Sequence, residues 1–201
     1  GGIANNIKVN LVRIDSEKLK ASEIKNKLKN ISGILIPGGF GKRGTSGKIE
    51  SIRYARINKI PFLGICYGMQ LLMQTFGSDV VSSNIREYGH AKINILDNTT
   101  IFKDVKSSTN VWMSHGDKIK ISTNNFKILA ESDNGILAAT SHIEKPYYGV
   151  QFHPEVIHTE DGNKILSNFL FYIAHCKPSW NSKNFINESI NSIRETIGDD
   201  N

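Results

Sequence analysis

The residues most able to do chemistry are a cysteine set between two glycines, Gly64-Ile65-Cys66-Tyr67-Gly68, and a histidine two positions before a glutamate, His153-Pro154-Glu155. The first lies between an apolar run at residues 60–65 and a helix-periodic stretch at 67–76. That is the context of a nucleophile elbow, with Cys in place of the usual Ser. The expected turn is so tight that side chains at positions 64 and 68 would clash, and it lifts the sulfur off the sheet. The amides opening the next helix favour thiolate over thiol. A lone cysteine is more often an inert buried residue; the flanking glycines at a strand–helix junction shift Cys66 towards the role of nucleophile.

A thiolate nucleophile needs a base and a group that orients the base. In an extended segment residues i and i+2 face the same way. His153 and Glu155 are therefore expected to point together, with Pro154 fixing the backbone between them. Residues 148–152 read as a buried strand that delivers the pair at its C-terminal end, where open α/β sheets place their sites. Attack on an amide creates an oxyanion, which needs waiting N–H groups. The amide of Tyr67 is one candidate. The turn Pro37-Gly38-Gly39-Phe40 is the other, since glycine lets backbone approach a ligand closely.

Competing chemistries fit less well. Gly39-Phe40-Gly41-Lys42-Arg43-Gly44 has the form G-x-G-x-x-G, but no acidic residue ends a strand about 20 positions later, as a dinucleotide site requires. Gly47-Lys48 is followed by Ile49 and not by a Mg²⁺-binding Ser or Thr, so it is not a phosphate loop. The six histidines and two cysteines show no C-x-x-C or H-E-x-x-H spacing, so no metal site is expected.

The elements that must position these groups follow from periodicity. Residues 8–14 alternate as a strand, and Asp15 and Ser16 are suited to cap a helix at 17–30. Residues 32–37 form a short apolar run, as expected of a buried parallel strand. A glycine-rich loop at 38–47 precedes a helix at 48–58. Strand–helix alternation in this half predicts an α/β fold with a parallel sheet. Further on, 90–95, 110–113, 126–132 and 136–142 read as short strands in antiparallel hairpins. A helix is expected at 159–175 and a weaker linker helix at 187–197.

The chain has 201 residues, enough for one domain and a short extension. Two cysteines exclude a disulfide framework and argue for a reducing compartment. The formal charge is +6, but no basic run is interleaved with aromatics, so nucleic acid is not the expected partner. No apolar run approaches the length of a membrane span. The start has no basic segment followed by an apolar one, so no signal peptide is expected; a first residue other than Met is expected of a fragment or processed chain. A cytoplasmic location is expected.

Pro37-Gly38-Gly39, Gly64-Ile65-Cys66-Tyr67-Gly68-Met69-Gln70 and Gly149-Val150-Gln151-Phe152-His153-Pro154-Glu155 together resemble class I glutamine amidotransferases over nearly the whole chain. The resemblance implies a flavodoxin-like α/β fold with a mixed sheet, flanking helices and appended antiparallel hairpins. It implies glutamine hydrolysis through a thioester, with Cys66 as nucleophile, His153 as acid/base and Glu155 as its orienter. Gly39 and Tyr67 would supply oxyanion amides. Gly38, Gln70, Ser114, His115 and Asp117 would hold the substrate; a polar hairpin turn is the plain alternative for 114–117.

Residues 1–70 resemble the CTP synthase branch, through Ile14-Asp15-Ser16-Glu17 and the run from Gly33 to Gly44. From Cys66 onward the chain resembles the GMP synthase branch, through Arg86-Glu87-Tyr88-Gly89-His90-Ala91, Met113-Ser114-His115-Gly116-Asp117 and the segment from His153 to Thr159. The later motifs favour ammonia delivery for making GMP from XMP; the alternatives are the CTP synthase branch or a non-catalytic subunit that kept the fold. A cysteine peptidase or deglycase-like hydrolase shares the elbow but not the motifs at 86–91 and 113–117. The implied division is an amidotransferase domain at 1–176, lacking that family's first strand–helix unit, and a linker at 177–201 toward an ATP-pyrophosphatase (synthetase) domain. No Ser-Gly-Gly-Val-Asp loop is present, so no cofactor is expected here; ATP and Mg²⁺ would belong to the synthetase.

Overall fold

The computed structural model describes residues 10–39 and 44–177, together with Ile186, Ile190 and Arg194. Among the described residues seven strands form one mixed sheet: β1 (Ile34–Ile36), β2 (Phe62–Ile65), β3 (Asp79–Ile95), β4 (Ser108–Lys120), β5 (Phe126–Ser132), β6 (Leu137–His142) and β7 (Tyr147–Val150). Their order across the sheet is β1-β2-β7-β6-β5-β3-β4. β1, β2 and β7 run parallel, and the other neighbours pair antiparallel. The last strand in sequence thus lies inside the sheet, between β2 and β6.

The short apolar strands obey the period of two. Phe62 and Tyr147 face one layer, with Ile34 and Ile36, against α2 (Thr45–Asn58) and α3 (Tyr67–Thr75). Leu63, Ile65, Tyr148 and Val150 face the opposite layer, which Ile165, Phe169 and Ile173 cover. Ile165 lies on α4 (Gly162–Asn168), and the other two lie on a π-helical segment, Phe169–Ile173, that continues it. Burial on both faces is why β2 and β7 read as unbroken apolar runs. Each fully buried large side chain contributes roughly 1.5–3 kcal/mol by leaving water.

Several expected elements differ. Residues 10–14 form no strand, and 8 and 9 lie outside the described residues. The helix expected at 17–30 is reduced to a 3₁₀ turn, Ala21–Glu23, and one α-turn, Ile24–Lys27. Only Leu19, Ile24 and Leu28 are buried there, too narrow a stripe to hold a long helix down. The hairpin expected from 90–95 and 110–113 is a much longer ribbon of 17 and 13 residues, with a register shift between Ser82 and Glu87. Residues 114–117 lie within β4, so they are not a hairpin turn. The helix expected at 187–197 falls outside the described residues except at Ile190 and Arg194.

Candidate active site

Cys66 joins β2 to α3 with φ 51° and ψ −109°, a backbone conformation that non-glycine residues avoid. The neighbouring glycines make it possible. A Cβ at Gly64 would stand 2.5 Å from the backbone of Gly68, and one at Gly68 would stand 2.2 Å from the carbonyl oxygen of Ile36. The Cys66 N–H donates to the carbonyl of Val150 at 2.8 Å, tying the elbow to β7.

β7 runs directly into the segment that carries His153 and Glu155. The Nδ1 of His153 and Oε1 of Glu155 are 2.7 Å apart. The His153 backbone is fixed at both ends: its N–H donates to the Trp112 carbonyl at 2.9 Å, and its carbonyl accepts from Thr159 Oγ1 at 2.6 Å. The same Thr159 hydroxyl accepts the Trp112 N–H at 3.0 Å. Hydrogen bonding to Cys66, and next to Glu155, pushes the His153 imidazole up to about 10. Burial alone would raise the Glu155 carboxyl, but the hydrogen bond and charge of His153 hold it below the usual carboxylate value. At neutral pH His153 is therefore an imidazolium between a carboxylate and a sulfur.

Pro37, Gly38, Gly39, Cys66, Trp112, Ser114, His153, Glu155 and Val156 line one cleft of about 350 Å³. Gly38 packs close against the pair, since a Cβ there would meet His153 Cε1 at 2.8 Å and Cys66 Cβ at 3.5 Å. The Tyr67 amide opens α3 beside the sulfur. Its ring is held from α2 by Thr45 Oγ1, 3.1 Å from the hydroxyl, and by Lys48, whose Nζ sits 4.9 Å from the ring centroid.

The substrate-holding candidates divide. Gly38 and Ser114 line the cleft, and the Ser114 carbonyl lies 3.7 Å from the Cys66 sulfur. Gln70 is buried beneath the elbow and reaches Gln151. His115 and Asp117 do not line the cleft. His115 is buried on the opposite face of β4, with Nε2 3.2 Å from Glu87 and Nδ1 3.0 Å from the Asp117 carbonyl. Glu87 also accepts from Asn134 at 2.9 Å. Strand alternation is the reason: Trp112 and Ser114 share one face, Met113 and His115 the other.

Sequence reasoning missed Trp112, which walls the cleft and packs against His158 with ring centroids 4.6 Å apart. Alternation from the apolar Val111 and Met113 was the available signal. It also missed Gln151, which shares the i, i+2 relation with His153. Among the described residues no helix is long and apolar enough to cross a membrane.

The model of the class-I glutamine amidotransferase family matches residues 2–173. The chain belongs to that family. Among curated relatives, it is 49% identical over 142 residues to a glutamine-hydrolysing GMP synthase of Brachyspira hyodysenteriae, covering 71% of this chain and 28% of that protein. It is 42% identical over 186 residues to the GMP synthase of Oceanobacillus iheyensis, covering 92% and 36%. The chain thus spans about a third of the length of these relatives. A solved structure from Thermoplasma acidophilum, assigned as one of the subunits of a GMP synthase, superposes with a TM-score of 0.71 at 28% identity, covering 90% of this chain and 84% of that one. The glutaminase domain of Trypanosoma brucei CTP synthase superposes with a TM-score of 0.72 at 22% identity, covering 89% and 86%, a likeness of fold alone. Membership accounts for the α/β architecture with its mixed sheet and flanking helices.

Proposed function

We propose that this chain is the glutamine-hydrolysing part of a GMP synthase, turning glutamine and water into glutamate and ammonia for the amination of XMP. The observation that carries the reading is the Cys66 elbow facing a hydrogen-bonded His153–Glu155 pair across one cleft. The Cys66 thiolate attacks the side-chain carboxamide carbon of glutamine. The amides of Tyr67 and Gly39 receive the oxyanion. His153, held as imidazolium, gives its proton to the departing ammonia, leaving a thioester on Cys66. Neutral His153 then takes a proton from water, the hydroxide attacks the thioester, and glutamate leaves with the thiolate restored. Gly38 and Ser114, which line the cleft, hold the substrate.

The GMP synthase branch is favoured over CTP synthase by the curated relatives, which carry the GMP synthase name at up to 49% identity. The sequence motifs at 86–91 and 113–117 also meet in this fold, as the buried pair Glu87–His115. The ammonia acceptor is an ATP-pyrophosphatase domain or subunit that uses ATP and Mg²⁺, reached through residues 177–201. The compartment is the cytoplasm, in keeping with the two free thiols.

Ammonia release from glutamine is the direct test, measured with and without the synthetase domain of GMP synthase supplied with ATP, Mg²⁺ and XMP. Stimulation by that domain is expected, with Cys66→Ala inactive and Cys176→Ala close to wild type. Activity surviving Cys66→Ala would sink the mechanism; stimulation only by a CTP synthase partner would overturn the branch.

A further inference from the structure

One polar side chain near the sulfur has no role in the scheme above. Gln151 is 1% exposed and sits at the end of β7, between the nucleophile and α3. Its Nε2 lies 3.6 Å from Cys66 Sγ, and its Oε1 accepts from Gln70 Nε2 at 3.4 Å. Its backbone N–H is already used by the Ala138 carbonyl. A buried carboxamide in an apolar core is costly unless its polar ends are matched. Here one end is matched by Gln70 and the other by sulfur. We propose that Gln151 acts on the nucleophile itself, donating an N–H to the Cys66 thiolate, with Gln70 holding the carboxamide so that nitrogen faces the sulfur.

The orientation follows from charge. The form of the sulfur that attacks is the thiolate, and a carbonyl oxygen turned toward it would be repelled. An N–H turned toward it is a charge-assisted bond in a dry setting. The Ser114 carbonyl, 3.7 Å from Sγ, accepts from the thiol only while it is protonated, so it cannot take this part. Gln70 and Gln151 thus join the helix after the elbow to the strand before His153. Gln70 is two hydrogen bonds away from the reacting sulfur.

This inference rests on Cys66 being the nucleophile, but its test does not require glutamine turnover. In a Cys176→Ala background, Cys66 is alkylated with iodoacetamide across a range of pH, and the acid limb of the rate gives the pH at which the thiolate forms. Gln151→Met removes the donor at similar length. It is expected to move that limb upward by about one pH unit, equivalent to roughly a tenfold lower rate on the acid side. Gln151→Glu, matched in size, is expected to move it further the same way, because a carboxylate repels the thiolate. Gln70→Leu is expected to produce a smaller shift in that direction. A merely structural Gln151 would leave the limb in place in Gln151→Met and Gln70→Leu. An unshifted limb in folded Gln151→Met overturns the proposal, and an unshifted limb in folded Gln70→Leu does so should Gln151→Met not fold. Wild-type protein with the expected alkylation profile but no ammonia from glutamine would instead remove the hydrolase reading alone.

Discussion

Gly38→Ala separates chemistry from stability at this site. Gly38 is not in the left-handed region, so alanine can take its backbone without strain. The added methyl would stand 2.8 Å from Cε1 of His153, closer than carbon atoms pack. Cys66 Cβ, at 3.5 Å, is in ordinary contact and need not move. The imidazole is the softer neighbour, and it must recede by roughly half an ångström. Because a displacement of about 1 Å in a reacting group costs about a hundredfold, a loss of about tenfold in kcat is expected, with less effect on KM. The fold is expected to be spared, since the strain falls on a side chain at the cleft. Replacing glycine also stabilises by about 0.4–1 kcal/mol through the unfolded chain. The melting temperature should stay within about 4 °C of wild type. The assay is glutamate-dehydrogenase-coupled ammonia release alongside thermal unfolding. Wild-type kcat in Gly38→Ala would show that the ring does not need its present position. Loss of activity together with collapse of the fold would show that Gly38 serves packing.

Glu155→Gln is expected to lower glutamine hydrolysis by about tenfold to a hundredfold, less than His153→Ala, because the carboxylate orients and the imidazole carries the protons. His153 is raised to about 10 partly by Glu155, so losing that carboxylate moves the alkaline fall in activity to lower pH; an unmoved limb would refute the coupling. For Glu87 and His115, buried to 5% and 4% exposure, removing either partner with Ala leaves the other's polar atoms unmatched and is expected to cost about 1–3 kcal/mol, and the double variant less than the sum. Additive losses in urea denaturation would deny that they act as a pair. His142 is held below its usual range by burial, then by Lys145, among the rings of Phe76, Phe126 and Tyr147. Its folded value lies below its unfolded one of about 6.5. Its contribution is therefore intact above that pH and declines as pH falls from there to the folded value. His142→Phe should lose less stability than wild type between pH 7.5 and 5.5; equal losses would contradict this.

What the sequence disclosed was local. The elbow needs only five consecutive residues, and the glycines at 64 and 68 report a clash that any tight strand–helix turn creates. His153 and Glu155 were legible from their spacing, and β2 and β7 from continuous apolar runs. The long ribbon was not legible, because residues 84–86 are exposed and give no alternation to read. His115 resembled a ligand in a polar motif. Only the register that sets it opposite Glu87 shows it to be part of a buried pair. Trp112 and Thr159 meet across 47 residues, and no pattern within either segment encodes that contact.

The place of β7 also sets the order in which the site comes into being during synthesis. The thiol leaves the ribosome long before the residues that activate it. A nascent chain ending before Tyr147 carries Cys66 but lacks the strand whose Val150 carbonyl holds the elbow and whose continuation bears Gln151, His153 and Glu155. β2 and β6 then flank an unfilled gap, and long-range pairing of this kind forms late. Until the strand is inserted the sulfur has no imidazole beside it, so on the proposed mechanism unfinished chains release no ammonia. A chain stalled at Pro146 should react with iodoacetamide at pH 6 more slowly than one stalled after Lys177.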